Sequence, residues 1–314
     1  MGKQLKLKKP LQPKPFLKWA GGKTQLLPEL EKRLPEHIKQ KKVIDCYIEP
    51  FVGGGAFFFY LYNNYQIKKA VLIDNNPEII TGYTVIKRNP EELIKKLKTI
   101  QRKYLNSDTN QRAEYFYKLR NRFNHQLKKF DFKKFNNNWI TRASILIFLN
   151  KTCFNGLFRL NSKGEFNVPH GRYKKPNICN AENILAVHKS FKKVLIKYGD
   201  FTTAEKYAKP GSLIYYDPPY KPLSLTSSFT GYTKEGFNDN EQERLAEFYK
   251  KMDKLKVFQI LSNSDPQNED PENYFFEKLY KRFEIDRVLA HRMINCDAKK
   301  RGQLKEILIT NYAK

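Results

Sequence analysis

The sequence is short of acid, of paired cysteine and of any long apolar run. Asp and Glu together number 32 against 59 Lys and Arg, a formal net charge of +27 over 314 residues. Such a deficit of negative charge argues against a cationic partner and favours phosphate backbones or anionic membranes. The four cysteines, Cys46, Cys153, Cys179 and Cys296, lie far apart, so neither a redox pair nor a zinc spacing exists. They read as reduced thiols, which sets the expected location as cytoplasmic. The five histidines (His37, His125, His170, His188 and His291) are scattered, and no metal is expected. The longest apolar run, Phe51 to Tyr62, contains three glycines and is too short to span a bilayer. Residues 1–14 are expected to form a basic arm. They lack the apolar segment of a signal peptide, and no Ser or Thr at position 6 supports myristoylation. No basic stretch has a clean apolar face, so nucleic acid is the expected partner and a membrane is not. The interleaving of 19 Tyr and 23 Phe with the basic residues suits that partner.

What is present centres on Tyr215-Tyr216-Asp217-Pro218-Pro219-Tyr220. A Pro-Gly turn at 210–211 and a short apolar run before it predict a buried strand. Prolines cannot continue a central strand, so the chain must leave the sheet at Asp217. In an open α/β sheet, ligands bind where strands exit at their carboxyl ends. A carboxylate, rigidly held carbonyls and an aromatic face suit a planar substrate with an amino group. The plain alternative is a strand that ends in a Pro-rich turn, but two upstream motifs point to the same site.

The first is Trp19-Ala20-Gly21-Gly22-Lys23-Thr24. It imitates a phosphate-binding loop but has Leu17 where the first glycine must stand, and no strand precedes it. A helix is expected from Thr24 to about Leu34. The second follows a strand predicted over Val43 to Phe51: Phe51, Gly53 and Gly55 form a turn whose glycines allow close approach of a ligand. A helix from Ala56 to Tyr62 and a strand over Ala70–Asn76 come next, the strand ending in Asp74, placed to grip ribose hydroxyls. No pyrophosphate-binding sequence is present, which suits a cofactor such as S-adenosyl-L-methionine.

Residues 77 to 149 read as helical and basic, and Asn150 to Lys175 as turn and hairpin chemistry carrying Arg159, Lys163, Arg172, Lys174 and Lys175. A basic hairpin can enter a DNA groove, although an ordinary surface hairpin has the same composition. Further strands are predicted at Lys193–Asp200, before Asp217, at Lys256–Ser264, at Ile285–Met293 and at Glu306–Tyr312. The fold class is therefore α/β, a doubly wound seven-stranded Rossmann-like sheet. Ser224 to Asn240 is expected to be a polar loop.

Taken together, Phe16-Leu17-Lys18-Trp19 with Gly21-Gly22-Lys23, Glu49-Pro50-Phe51-Val52-Gly53-Gly54-Gly55, Asn155-Gly156-Leu157-Phe158-Arg159 with Gly164-Glu165-Phe166-Asn167-Val168-Pro169, and Asp217-Pro218-Pro219-Tyr220 resemble the Dam-type DNA adenine methyltransferases, D12 class and α group. The likeness covers nearly all of the chain after Pro15. It implies a catalytic domain of residues 15–76 and 189–314, and an inserted, mainly helical target-recognition domain of residues 77–188 carrying the β-hairpin. It also implies S-adenosyl-L-methionine bound by Trp19, Lys23, Asp74 and Asp217, with Phe51, Gly53 and Gly55 lining the turn and Asp200 near the cofactor's adenine. Asp217, Pro218, Pro219 and Tyr220 are the expected catalytic residues. The resemblance makes the nucleic-acid partner double-stranded DNA: Lys18, Phe154, Asn155, Leu157, Arg159, Pro169 and Arg172 are the expected DNA contacts, and GATC is the implied target. Phe154 departs from the Tyr that several relatives carry before Asn-Gly, which keeps a stacking face and drops a hydroxyl. The resemblance gives the basic arm no role. A monomer is expected, with a restriction endonuclease as a conceivable functional partner. The rival readings are a methyltransferase for an RNA base or protein glutamine, and a catalytically silent DNA-binding relative.

Overall fold

Short runs of apolar residues that bury both faces build the centre of the molecule. β2 (Tyr47–Pro50), β4 (Ala70–Asp74) and β6 (Leu213–Tyr216) are buried at every position, as expected of parallel strands covered on both sides. A computed structural model describes residues 11–19, 23, 25–221, 237–291 and 303–313. Around those strands lie α1 (Leu27–Lys32), α2 (Glu36–Lys41), β1 (Val43–Ile44), α3 (Ala56–Asn64) and β3 (Gln66–Ile67). The chain continues through α4 (Pro77–Arg88), α5 (Pro90–Leu105), α6 (Thr109–Leu127), α7 (Asn137–Thr152), α8 (Ala181–Ser190) and β5 (Val194–Tyr198). After β6 come α9 (Asp239–Lys254), β7 (Phe258–Ser264), α10 (Phe275–Leu279), β8 (Glu284–His291) and β9 (Gln303–Thr310).

The main sheet has seven strands in the order β5-β4-β2-β6-β7-β9-β8. The first five are parallel, and β9 runs antiparallel to both β7 and β8. From β2 the chain moves outward to β4 and β5, then returns to β6 on the other side. The direction of winding therefore reverses between β2 and β6, and a crevice forms at their carboxyl ends. Alternation sorts the core: Tyr47, Leu72, Leu213 and Tyr215 pack on one face, and Ile48, Val71, Ile214 and Tyr216 on the other. Among the described residues no helix is long and apolar enough to cross a membrane.

Three sequence expectations need correcting. The strand expected over Val43 to Phe51 is broken at Asp45-Cys46; Val43–Ile44 pairs instead with Gln66–Ile67 in a separate ribbon. The helix expected from Thr24 begins at Leu27, where Pro28 takes a first-turn position that needs no N–H donor. The loop expected to reach Asn240 lies mostly outside the described residues, and Asn240 itself belongs to α9, capped by the Asn238 side chain. The basic hairpin is present without a regular ladder. Its arms meet at isolated antiparallel bridges, Cys153 with His170 and Leu160 with Phe166. Asn161 makes the turn, accepting from the Glu165 amide through its side chain at 2.9 Å.

Helices α5, α6 and α7 pack on one another, and α4 bridges them to β4 and β5. The bridge contains a buried ion pair: Arg142 of α7 donates to Glu78 of α4 at 2.8 and 3.0 Å through Nε.

Candidate active site

The turn after β2 sets the floor of the crevice. Phe51 takes a left-handed backbone at φ 69°, a conformation costly for a bulky residue and one that clusters at functional sites. Its ring stacks on Phe201 with centroids 5.6 Å apart and meets Phe237 edge-on at 5.5 Å. At Gly53 (φ 47°) a Cβ would lie 2.7 Å from the Trp19 indole, so only glycine admits that ring. Trp19 stacks in turn on Phe158 of the hairpin, 5.2 Å between centroids. The indole thus joins the glycine turn to the hairpin.

Asp74, at the end of β4, is buried and accepts from the amides of Gly53 at 2.9 Å and Asn76 at 2.8 Å. Burial raises its carboxyl to about 6, against the lowering effect of those two bonds. Each oxygen has one backbone donor and keeps a lone pair for a ligand. Asp200 follows β5 and accepts from Thr202 and from Arg244 at 2.7 Å. Burial raises the Asp200 carboxyl, but the bonds from Thr202 and Arg244 outweigh that and hold it below its ordinary value. One oxygen is thereby committed to Arg244.

Asp217 leaves β6 on the other side of the crevice. Its Oδ1 accepts from Ser262 at 3.1 Å and lies 3.0 Å from Lys23 Nζ. Among the described residues Oδ2 accepts no hydrogen bond, nor does the Pro218 carbonyl. Burial raises the Asp217 carboxyl, with Lys23 acting against it. The Pro219 carbonyl is held by Gln242 at 3.3 Å, Asn263 donates to Gln242 at 3.2 Å, and the Lys221 amide donates to Asn263 at 3.1 Å. These amide groups are fully buried, and a satisfied buried network of this kind fixes one geometry. Lys23 donates to the Tyr220 hydroxyl and its ammonium lies 3.7 Å from that ring's centroid. Lys23 therefore covers one face of Tyr220.

Nothing in the sequence assigned a role to Ser262, Gln242, Asn263 or Glu306, nor to Glu49, which stood only within the glycine-turn motif. Glu49 is buried beneath the site and accepts from Tyr47 at 2.8 Å. Burial pushes its carboxyl to about 8, with the Asp217 and Asp74 charges adding to the rise, so Glu49 is mostly neutral at pH 7. Glu306, on β9, accepts from the Tyr220 hydroxyl at 2.7 Å. The only sequence signal was a polar run, Ser262-Asn263-Ser264, closing an otherwise apolar strand.

Two of the expected DNA contacts, Lys18 and Asn155, meet beside Asn150. Its buried amide accepts from the Lys18 N–H at 2.7 Å and donates to the carbonyls of Lys18 and Gly156. Lys18 Nζ reaches the Asn155 carbonyl at 3.3 Å. Asn155 itself is left-handed, and its neighbour Phe154 is 54% exposed, unusual for a large aromatic. Arg159 is exposed and donates to Asn167 at 2.9 Å. Pro169 and Arg172 are exposed and Leu157 is half-buried. Lys151 is half-buried nearby, and burial and Lys18 lower its affinity for the proton. No carboxylate faces either lysine among the described residues, so the pair presents unbalanced positive charge. Gly21 and Gly22 of the first motif lie outside the described residues. Among the described residues no cluster of metal-binding side chains occurs.

The family described as D12 class N6 adenine-specific DNA methyltransferase matches residues 19–294. Type II methyltransferase M.MjaIII of Methanocaldococcus jannaschii is 48% identical over 96% of this chain and 100% of its own. Type II methyltransferase M1.LlaDCHI of Lactococcus lactis subsp. cremoris is 40% identical, covering 95% of each. A DNA adenine methylase of Haemophilus influenzae is 36% identical over 98% of this chain and 96% of its own.

Proposed function

The chain belongs to the D12 class N6 adenine-specific DNA methyltransferases and is a site-specific DNA adenine methyltransferase; from that premise we propose that it uses S-adenosyl-L-methionine and that its target is the adenine of GATC. The observation that carries the chemistry is Asp217, anchored through Oδ1, with neither its Oδ2 nor the carbonyl of the adjoining Pro218 accepting a hydrogen bond among the described residues.

The residues present fit this cofactor. The aromatic group of Phe51, Phe201 and Phe237 offers faces for an adenine, Asp74 has lone pairs for ribose hydroxyls, and no phosphate cradle is required. Trp19, Lys23, Asp74, Asp217 and Asp200, with Phe51, Gly53 and Gly55 of the turn, would hold it. When bound, S-adenosyl-L-methionine supplies a methyl group on a sulfonium. Everything else falls to the chain's own groups. Adenine N6 is a weak nucleophile because its lone pair is delocalised into the ring. Asp217 Oδ2 accepts one N6–H and the Pro218 carbonyl the other, which draws N6 towards tetrahedral geometry and frees the lone pair. Asp217 is anchored through Oδ1 and the rings of Pro218 and Pro219 restrict the backbone beside it, so little reorganisation is needed at the reaction. The methylated amine is acidic enough to lose its proton afterwards, and no residue need act as a base.

The base must leave the duplex, at a cost of about a few kcal/mol. In this reading Phe154, exposed at the surface, fills the gap and Tyr220 stacks the flipped base. Residues 77–188 serve as the recognition insert in this reading, with Lys18 at the other end of the site. Two of the relatives are named type II methyltransferases, which supports pairing with a restriction endonuclease; a monomer suffices for the chemistry.

Two expected results follow from the charge. Log K for duplex DNA should fall linearly with log salt, with a slope of several, because the +27 chain must release several counterions from phosphates. A flat response in a fluorescence-anisotropy titration would contradict it. The second concerns Arg159, whose fork matches guanine O6 and N7. Arg159→Ala should cost roughly 1–3 kcal/mol on GATC and relax the preference at one base pair. A uniform loss on every sequence would make Arg159 a backbone contact. Mapping methylated positions in treated genomic DNA tests the target, and a motif other than GATC overturns it.

A further inference from the structure

The catalytic turn holds a carboxyl group to which the reading above gives no task. Glu306 lies on β9 opposite Ser264 of β7, far in sequence from every motif, and is buried. Its Oε2 accepts from Tyr220 at 2.7 Å and lies 3.9 Å from Lys23 Nζ, which is also 3.0 Å from Asp217 Oδ1. One ammonium is thus shared between two carboxylates. The Tyr220 hydroxyl has a single proton and gives it to Glu306, so towards Lys23 it can only accept.

We propose that Glu306 is a positioning residue for methyl transfer, holding Lys23 partly off Asp217 so that the Asp217 carboxylate remains a strong acceptor for adenine N6. The inference rests on the assignment of Asp217 as the N6 acceptor. An ammonium that bonds one carboxylate alone neutralises it and weakens it as an acceptor for a second donor. With Glu306 present, that ammonium is attracted to both sides, and the Tyr220 oxygen between them gives it a second acceptor.

Glu306→Gln keeps the shape and an acceptor for Tyr220 and removes only the charge. The groups facing Asp217 are Lys23, Glu306, Glu49, Tyr47, Tyr215 and Tyr220. Of these, the substitution changes the charge at Glu306 alone. The Glu306 charge helps to raise the Asp217 carboxyl, so removing it should lower that carboxyl. Activity is lost as pH falls and Asp217 protonates, so the acid limb of the rate should move to lower pH.

The test is single-turnover transfer to a duplex carrying the target adenine, with cofactor affinity measured by titration and the rate followed against pH. For Glu306→Gln we expect a transfer rate about tenfold lower or more, with cofactor affinity within about threefold of wild type. The acid limb should shift downward. Glu306→Asp, which restores the charge, should return the limb to its wild-type position and recover part of the rate. A Glu306→Gln protein with wild-type rate, an unmoved limb, or a loss confined to cofactor affinity overturns the proposal. So does a Glu306→Asp protein as slow as the Gln variant. A wild-type protein that methylates no adenine would instead defeat the underlying assignment of Asp217.

Discussion

Asp217→Ala should leave a folded protein that transfers methyl groups about a hundredfold more slowly, or worse, since a positioned charged acceptor contributes on that scale. The expectation follows from how the carboxylate is used. Oδ1 is spent on Lys23 and Ser262, so it cannot be the substrate's acceptor. Among the described residues Oδ2 accepts no hydrogen bond, nor does the carbonyl of the next residue, Pro218, and the amide network from Gln242 and Asn263 holds the Pro219 carbonyl one residue further on. Deleting the side chain removes the acceptor and leaves the network intact. It also leaves Lys23 a partner in Glu306 and the Tyr220 hydroxyl, so no buried charge is abandoned and the fold should persist. Thermal unfolding checks the fold and single-turnover kinetics the rate. A variant that keeps more than about a tenth of the wild-type rate would remove Asp217 from its role.

The second large effect concerns stability. Arg142 is wholly buried, pairs with Glu78, donates to the Phe123 carbonyl at 3.0 Å and lies over the Phe123 ring at 4.1 Å. Arg142→Ala strips the pair and leaves Glu78 a buried carboxyl with no cation, which should cost about 3–5 kcal/mol in chemical denaturation. Burial already raises Glu78 despite Arg142, and without Arg142 the rise grows. A carboxyl raised in the folded state binds more protons there than when unfolded, so stability falls as pH rises. The variant should therefore be weakest above the ordinary glutamate range and regain stability as pH is lowered and Glu78 protonates. Pairing the change with Glu78→Leu should recover most of the loss, because two apolar groups replace the stranded charge. A loss under about 1 kcal/mol, or one insensitive to pH, would show that water reaches the pair.

The parts of the site that the sequence disclosed are local. Asp74 and Asp217 each end an apolar run, and the Phe51 to Gly55 turn follows one, so the carboxyl ends of β4, β6 and β2 were readable from neighbours in the chain. The seven strands followed from the same runs. What escaped was everything brought in from a distance. Ser262, Gln242, Asn263 and Glu306 support Asp217 and its turn from β7, α9 and β9, and apart from the polar run at 262–264 nothing near them in sequence marks them. Glu306 looks like an ordinary solvent-facing position in a strand, and it faces the site only because β9 lies antiparallel to β7. Arg142 passed as one more basic residue of a basic helical region, and its partner Glu78 lies 64 residues earlier, too far to be paired with it by spacing. The hairpin was legible from its turn residues, but not its lack of a ladder, since Phe158, Phe166 and Val168 hold the arms by burial instead of strand pairing.

The central claim is that Asp217 and Pro218 activate the N6 of an adenine for methylation. The most direct measurement incubates the protein with duplex DNA and S-adenosyl-L-methionine labelled in its methyl group, then digests the DNA and weighs the nucleosides. The account predicts label in N6-methyladenine from GATC-containing duplexes, appearing about a hundredfold more slowly or worse when Asp217 is replaced by Ala. Label on cytosine, on another atom of adenine, or on adenine at an undiminished rate in the Asp217→Ala protein would contradict it.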